Sequence, residues 1–236
     1  MATPSNWICR AGRLMALGLA FAPSICAAHG VAEGDAAFIQ NNPGPQVVPF
    51  LYLGAKHMVT GYDHLLFLAG VIFFLYRLRD IALYVTLFSL GHSITLLAGV
   101  LTGVRVDPFV IDAIIGLSVA YKAFDNLGGF PAAFGFQPNP KAAVAVFGLA
   151  HGLGLATKLQ DLKLSPSGLV ANILAFNVGV EAGQIVALSA ILLLMVWWRG
   201  TSGFQRHAAG ANVLLMAAGL VIVESQIAGF LMERTA

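Results

Sequence analysis

HMVTGYDH, residues 57–64, runs straight into LLFLAGVIFFLY, residues 65–76, where no side chain is charged or strongly polar. Counted from Phe50, the apolar run is long enough for a helix across a bilayer, which takes about 20 residues. Two histidines and an aspartate therefore stand inside a segment that reads as membrane-embedded, where ionisable groups are most costly.

Composition supports the membrane reading. Of 236 residues, 58% are hydrophobic and 10% are charged, against roughly 25% charged in soluble domains. Mean hydropathy is +0.81. The formal net charge is +2, with no basic run or aromatic-interleaved patch, so nucleic acid is excluded as a partner.

Residues 1–28 read as a secretory signal. Arg10 and Arg13 form a positive start, LMALGLAFA is too short to span, and Cys26-Ala27-Ala28 supplies small residues for cleavage after Ala28. A short extracytoplasmic arm follows at 29–49, and the membrane domain is expected at 50–236. Both cysteines, Cys9 and Cys26, fall in the signal. The mature chain is thus expected to use neither disulfides nor thiolate chemistry.

Six apolar spans follow: Phe50 to Tyr76, Ile81 to Leu101, Pro108 to Phe124, Ala142 to Ala156, Gly168 to Trp198 and Ala208 to Leu231. No period-2 pattern suggests a barrel, so the expected fold is an all-α polytopic bundle of about six transmembrane helices. The fourth span is short beside a long neighbour, which predicts a broken or tilted helix. A cleaved signal places the mature N-terminus outside the cytoplasm. The cytoplasmic loops then hold Arg77, Arg79, Lys141, Arg199 and Arg206, against Arg105, Lys158, Lys163 and Arg234 outside.

Ionisable residues collect at one depth. Asp63 and His64 fall near the middle of the first span, His92 of the second, His151 of the fourth and Glu181 of the fifth. A single polar residue at that depth is often interhelical hydrogen-bond glue, but a set on four helices marks a site. Two turns separate His57 from His64, which on a straight helix means one face and about 10 Å along the axis. Asn177, Glu181 and Gln184 form a polar stripe on the fifth span, and Ser89, His92 and Ser93 group on the second, with Gly91 removing bulk beside the histidine. The amides read as packing partners. Asp112, Lys122, Asp125 and Glu224 read as helix-end residues that snorkel, and His207 as a solvated loop residue.

Neutral imidazoles with carboxylates and no thiolate make a borderline ligand set for a divalent transition metal such as nickel, cobalt, zinc, copper or iron. The candidate ligands are His57, Asp63, His64, His92, His151 and Glu181. The metal is read as substrate or ligand, its identity open. Such a site loads only with neutral histidines, so uptake is expected to weaken below about pH 6.

HMVTGYDH before an apolar helix, the GHS of the second span, FGLAHGLG of the fourth and FNVGVEAGQ of the fifth resemble the HupE/UreJ family of bacterial membrane proteins. The resemblance covers roughly Leu51 to Leu231. It implies association with hydrogenase and urease gene clusters, metalloenzyme maturation partners, inward metal permeation, and roles for His57, Asp63 and His64 in metal capture and binding. Nickel-type members carry Phe-His-Gly-x-Ala-His-Gly-x-Glu on the fourth span. Here that stretch reads VFGLAHGLG, so His151 matches the second histidine, Phe147 stands in place of the first, and Gly154 replaces the glutamate. In this the chain is similar to the second branch of the family.

The expected function is a divalent-metal permease of the bacterial inner membrane, not an enzyme, with the metal ion as substrate or ligand. Metal is captured near His57, passes to a central His/carboxylate site and leaves inward. Two alternatives from other classes stay open: an intramembrane zinc-dependent hydrolase acting on a lipid amide or ester, with Asp63 or Glu181 as base and Ser89 or Ser93 as helper, and a non-transporting accessory protein. Oligomeric state is not legible in the sequence.

Overall fold

The computed structural model describes residues 44–161 and 166–235. The signal, with Cys9 and Cys26, and the arm up to residue 43 lie outside the described residues. Everything described is helix or connection: α1 (Val47–Thr60), α2 (Tyr62–Ile72), α3 (Leu78–Thr102), α4 (Pro108–Asn126), α5 (Gly129–Phe134), α6 (Pro140–Asp161), α7 (Leu169–Arg199) and α8 (Gly203–Thr235). The fold is all-α, as expected. Four helices, α3, α6, α7 and α8, are long and apolar enough to cross a membrane by length and composition.

The break falls elsewhere than expected. The fourth predicted span is one unbroken 22-residue helix, α6. It is the first span that divides, at Gly61, where φ −71° and ψ 97° put one extended residue between α1 and α2. The break is internally satisfied: the Gly61 N–H donates to the His57 carbonyl at 2.9 Å, and the Thr60 hydroxyl donates to the Lys56 carbonyl at 2.8 Å. Glycine is required there by space rather than by φ, since a Cβ would sit 2.6 Å from Nδ1 of His64.

Interruption of a membrane helix is tolerated where neighbours satisfy the freed backbone groups. Far from the break, Asn172 on α7 accepts from the Gln46 N–H at 2.6 Å and donates to the Gly44 carbonyl at 3.0 Å, fixing the start of α1. At the other end Arg199 donates to the carbonyls of Leu75 (2.9 Å), Phe73 (2.8 Å) and Ile72, closing the C-terminus of α2. Asn126 on α4 donates to the Gly70 carbonyl at 2.8 Å and to Asn212 of α8 at 2.9 Å. Arg199→Ala should therefore lower the stability of the detergent-solubilised protein by about 2 kcal/mol, the scale of a hydrogen-bonded charge lost from a half-buried position. Thermal unfolding measures it, with Arg199→Lys expected to restore only part because it lacks the fork.

Helices pair intimately: α1 along α7, α3 along α6 and α4 along α8, with α2 and α6 lying against α4. Glycines permit each approach, the route open to helices without a hydrophobic driving force between them. Gly183 of α7 lies against the Ala55 backbone of α1, Gly91 of α3 against Ala145 of α6, and Gly219 of α8 against Gly116 and Ala120 of α4. Two apolar clusters result. One gathers Phe50, Met58, Leu96, Leu155 and Phe176. The other gathers Phe67, Ile72, Phe88, Val119 and Phe204. The broken first span passes between them.

Asp112 departs from its helix-end reading. It is 8% exposed and takes both oxygens to Lys158 Nζ, at 2.9 and 2.8 Å, tying α4 to α6.

Candidate functional site

The break at Gly61 makes the site. His57 lies in the last turn of α1 and Asp63 in the first turn of α2, where the helix dipole favours a carboxylate. On a continuous helix the rings of His57 and His64 would stand about 10 Å apart along the axis. Across the break at Gly61 their centroids are instead 5.0 Å apart, with planes at 75°. The expected spacing along one helix face is thus corrected by the break itself.

His64 is the hub. Its ring centroid lies 5.0 Å from that of His151 on α6 and 6.4 Å from that of His92 on α3. Four imidazoles from α1, α2, α3 and α6 meet around one point between the two apolar clusters. His64, His92 and His151 are 4%, 1% and 2% exposed, while His57 is half-buried. Phe88 and Phe67 wall the group: Phe88 lies 4.9 Å from His151, and Phe67 lies 5.6 Å from it.

Hydrogen bonds orient two of the rings. His64 Nδ1 is 2.9 Å from Asp63 Oδ1, which also accepts the His64 backbone N–H at 2.9 Å. His151 Nδ1 is 2.8 Å from the Phe147 carbonyl. A carbonyl only accepts, so His151 carries its proton on Nδ1, and an ionised Asp63 fixes the same tautomer in His64. Each ring then turns the lone pair of Nε2 inward. Among the described residues, His64 Nε2, His151 Nε2 and both nitrogens of His92 are buried with no hydrogen-bond partner. Buried polar atoms are otherwise nearly always paired, so four orphaned imidazole nitrogens in one cluster point to an absent ligand.

The rings are grouped rather than converged. Among the described residues no three His, Cys, Asp or Glu side chains are drawn tightly enough to hold an ion as they stand. Two imidazoles sharing one tetrahedral ion at about 2.0–2.1 Å would place their centroids roughly 5 Å apart. The His57–His64 and His64–His151 pairs already have that spacing, so either pair can share an ion by ring rotation.

Glu181 stands apart from the other candidates. It is exposed on the outer side of α7 and lines a groove with Ser89, Ser93 and Gln184. At about 100° per residue it lies 60° round the helix from Gln184, enough to turn it out of the bundle while Asn177 and Gln184 stay buried. Three contributors were not legible as site residues: the Phe147 carbonyl that orients His151, and the walls Phe67 and Phe88. The spacing of Phe147 to His151, one turn upstream, was the signal for the first.

Asp63→Asn is expected to lower affinity for a divalent metal by about 10- to 100-fold with the fold intact, as for residues that orient a ligating histidine. Titration of the purified variant with nickel and zinc measures it.

The family model described as HupE / UreJ protein matches residues 33–234. No curated protein and no solved structure matches the chain.

Proposed function

We propose that this chain, which belongs to the HupE / UreJ family, is an inner-membrane permease for a divalent transition metal that moves through the imidazole cluster of His57, His64, His92 and His151 with Asp63. The observation that carries the reading is the set of orphaned nitrogens on His64, His92 and His151. Each unsatisfied buried group costs about 1–3 kcal/mol, a penalty that a bound ion relieves. Membership of the family supports the same reading, with metalloenzyme maturation systems as consumers of the metal.

His57 is the half-buried member and receives the ion, and the buried rings pass it on. Discontinuous helices supply ion sites in many transporters, and here the break sets His57 at the end of one helix and Asp63 and His64 at the start of the next. A mixed imidazole and carboxylate set is strong enough to strip water yet releases the ion when ligands exchange one at a time. Nickel, cobalt, zinc and copper all suit these donors. With the N-terminus outside, inward movement of a 2+ ion through 100 mV gains about 4.6 kcal/mol.

Radiolabelled nickel and zinc flux into proteoliposomes under an imposed potential tests the reading, and saturable potential-driven uptake is expected. A second reading, an intramembrane zinc hydrolase, is favoured by the groove of Ser89, Ser93 and Glu181 on the outer side of α3 and α7. Stoichiometric zinc retained without flux would select it.

A further inference from the structure

Three phenylalanines stand about one helical turn from three of the histidines, each on the same helix. Phe67 follows His64 by three residues on α2, Phe88 precedes His92 by four on α3, and Phe147 precedes His151 by four on α6. All three displacements point to one face of the bundle. Helices α3 and α6 run parallel, with Gly91 against Ala145 and Gly99 against Ala156, and α2 ends where α3 begins. The histidines therefore form one layer and the phenylalanines the next, on the side where α3 and α6 start.

The rings of the second layer close on one another. Phe67 lies 5.2 Å from Phe88 and 6.0 Å from Phe147. Phe88 faces His64, His92 and His151 at 6.4, 6.3 and 4.9 Å. Phe67 and Phe88 are each 1% exposed, and Val119 and Val144 are buried in the same apolar cluster. The other flank of the histidines is less covered: His57 is half-buried, and Val59 and Thr60 beside the break are exposed. Past Phe147 stands Tyr121, 5.2 Å from it, and one turn further along α4 comes Asp125. Oxygen groups thus resume beyond the rings.

Presupposing the permease reading above, we propose that Phe67, Phe88 and Phe147 form its release gate, the layer an ion crosses on leaving the histidines and whose parting sets the rate of transport. A phenyl ring has no lone pair with which to replace an imidazole ligand, and apolar constrictions gate ion paths by excluding water. An ion on the histidines has no successor ligand until the rings part. The gate is shut in this conformation, while the site is approached from His57.

Zinc flux into proteoliposomes holding a trapped zinc-sensitive dye, under an imposed potential and at saturating zinc, tests the gate. Zinc titration of the same purified proteins gives affinity separately. Phe67→Leu and Phe147→Ala should each raise the saturated flux about tenfold, a barrier lower by about 1.4 kcal/mol, with zinc affinity unchanged. The added flux should vanish when His64→Ala is combined with either change. Loss of packing alone would lower flux, not raise it. Phe50→Leu, at a ring equally buried in the other apolar cluster, should leave flux as in the wild type. Size-exclusion profiles check folding, and Phe147, the half-buried ring of the three, decides the matter should the Phe67 variant fail. Normal zinc binding with flux unchanged or lowered in both variants would overturn the gate and leave the permease standing, as would equal acceleration by Phe50→Leu. A wild-type protein with neither bound zinc nor flux would overturn the permease reading and the gate with it.

Discussion

His64→Ala is expected to abolish both metal retention and flux, by about 100-fold or more, because losing a ligand should exceed the 10- to 100-fold cost of losing a residue that only orients one. The size of the effect follows from position. His64 is the ring that touches the other three, at 5.0 Å from His57 and His151 and 6.4 Å from His92. Removing any outer member leaves a connected set; removing His64 separates His57 from the deeper rings. Stability should fall as well, by about 2 kcal/mol, since the buried ring leaves a cavity and Asp63 Oδ1 loses its Nδ1 partner. Metal content by mass spectrometry, proteoliposome flux and a melting curve on the same preparation separate the two effects. A variant that melts normally and transports normally would place the ion path elsewhere.

The second large effect is Gly152→Val. A Cβ at Gly152 would lie 2.8 Å from the carbonyl carbon of His92 and closer still to its oxygen and to the Thr95 hydroxyl. The obstacle is backbone, which cannot rotate aside, so α3 and α6 must separate along the seam that Thr95 closes by donating to the Leu149 carbonyl at 2.7 Å. Overpacking of this kind costs about 3 kcal/mol. His92 and His151 ride on the two helices being pushed apart, so metal affinity should fall with stability although every ligand is kept. Gly103→Ala is the contrasting control: its φ of 70° carries a strain penalty, yet nothing lies within 4 Å of the added methyl.

Much of the architecture was readable from residues. Apolar runs identified the all-α bundle, and the depth of Asp63, His64, His92 and His151 identified residues that do meet. The helix break was not readable. A glycine between Thr60 and Tyr62 is ordinary in a membrane helix, and what makes this one a break lies far off in sequence, where Asn172 and Arg199 hold the outer ends of α1 and α2. The short fourth span drew attention to the wrong helix, because Ala142 to Ala156 undercounted a helix whose ends carry Pro140, Lys141, Lys158, Gln160 and Asp161. Glu181 shows a different limit. Its i+4 spacing from Asn177 fits a shared stripe, but a stripe is wide enough for one edge to face inward and the other outward. Only the packing of Gly179 and Gly183 against α1 decides the rotation of α7. Asp112 was placed near a helix end and Lys158 in an outer loop, and their pairing across α4 and α6 needed the tertiary fold.

The claim at the centre is that imidazoles brought together by the Gly61 break take up a metal ion directly. X-ray absorption of the metal-loaded protein, fully folded in nanodiscs, tests it most directly. The expected spectrum shows a first shell of nitrogen and oxygen near 2.0–2.1 Å for zinc, with the outer-shell scattering of two or more imidazoles, weakened in the His64→Ala variant at matched metal content. A first shell of oxygen alone, with no imidazole scattering, would contradict it.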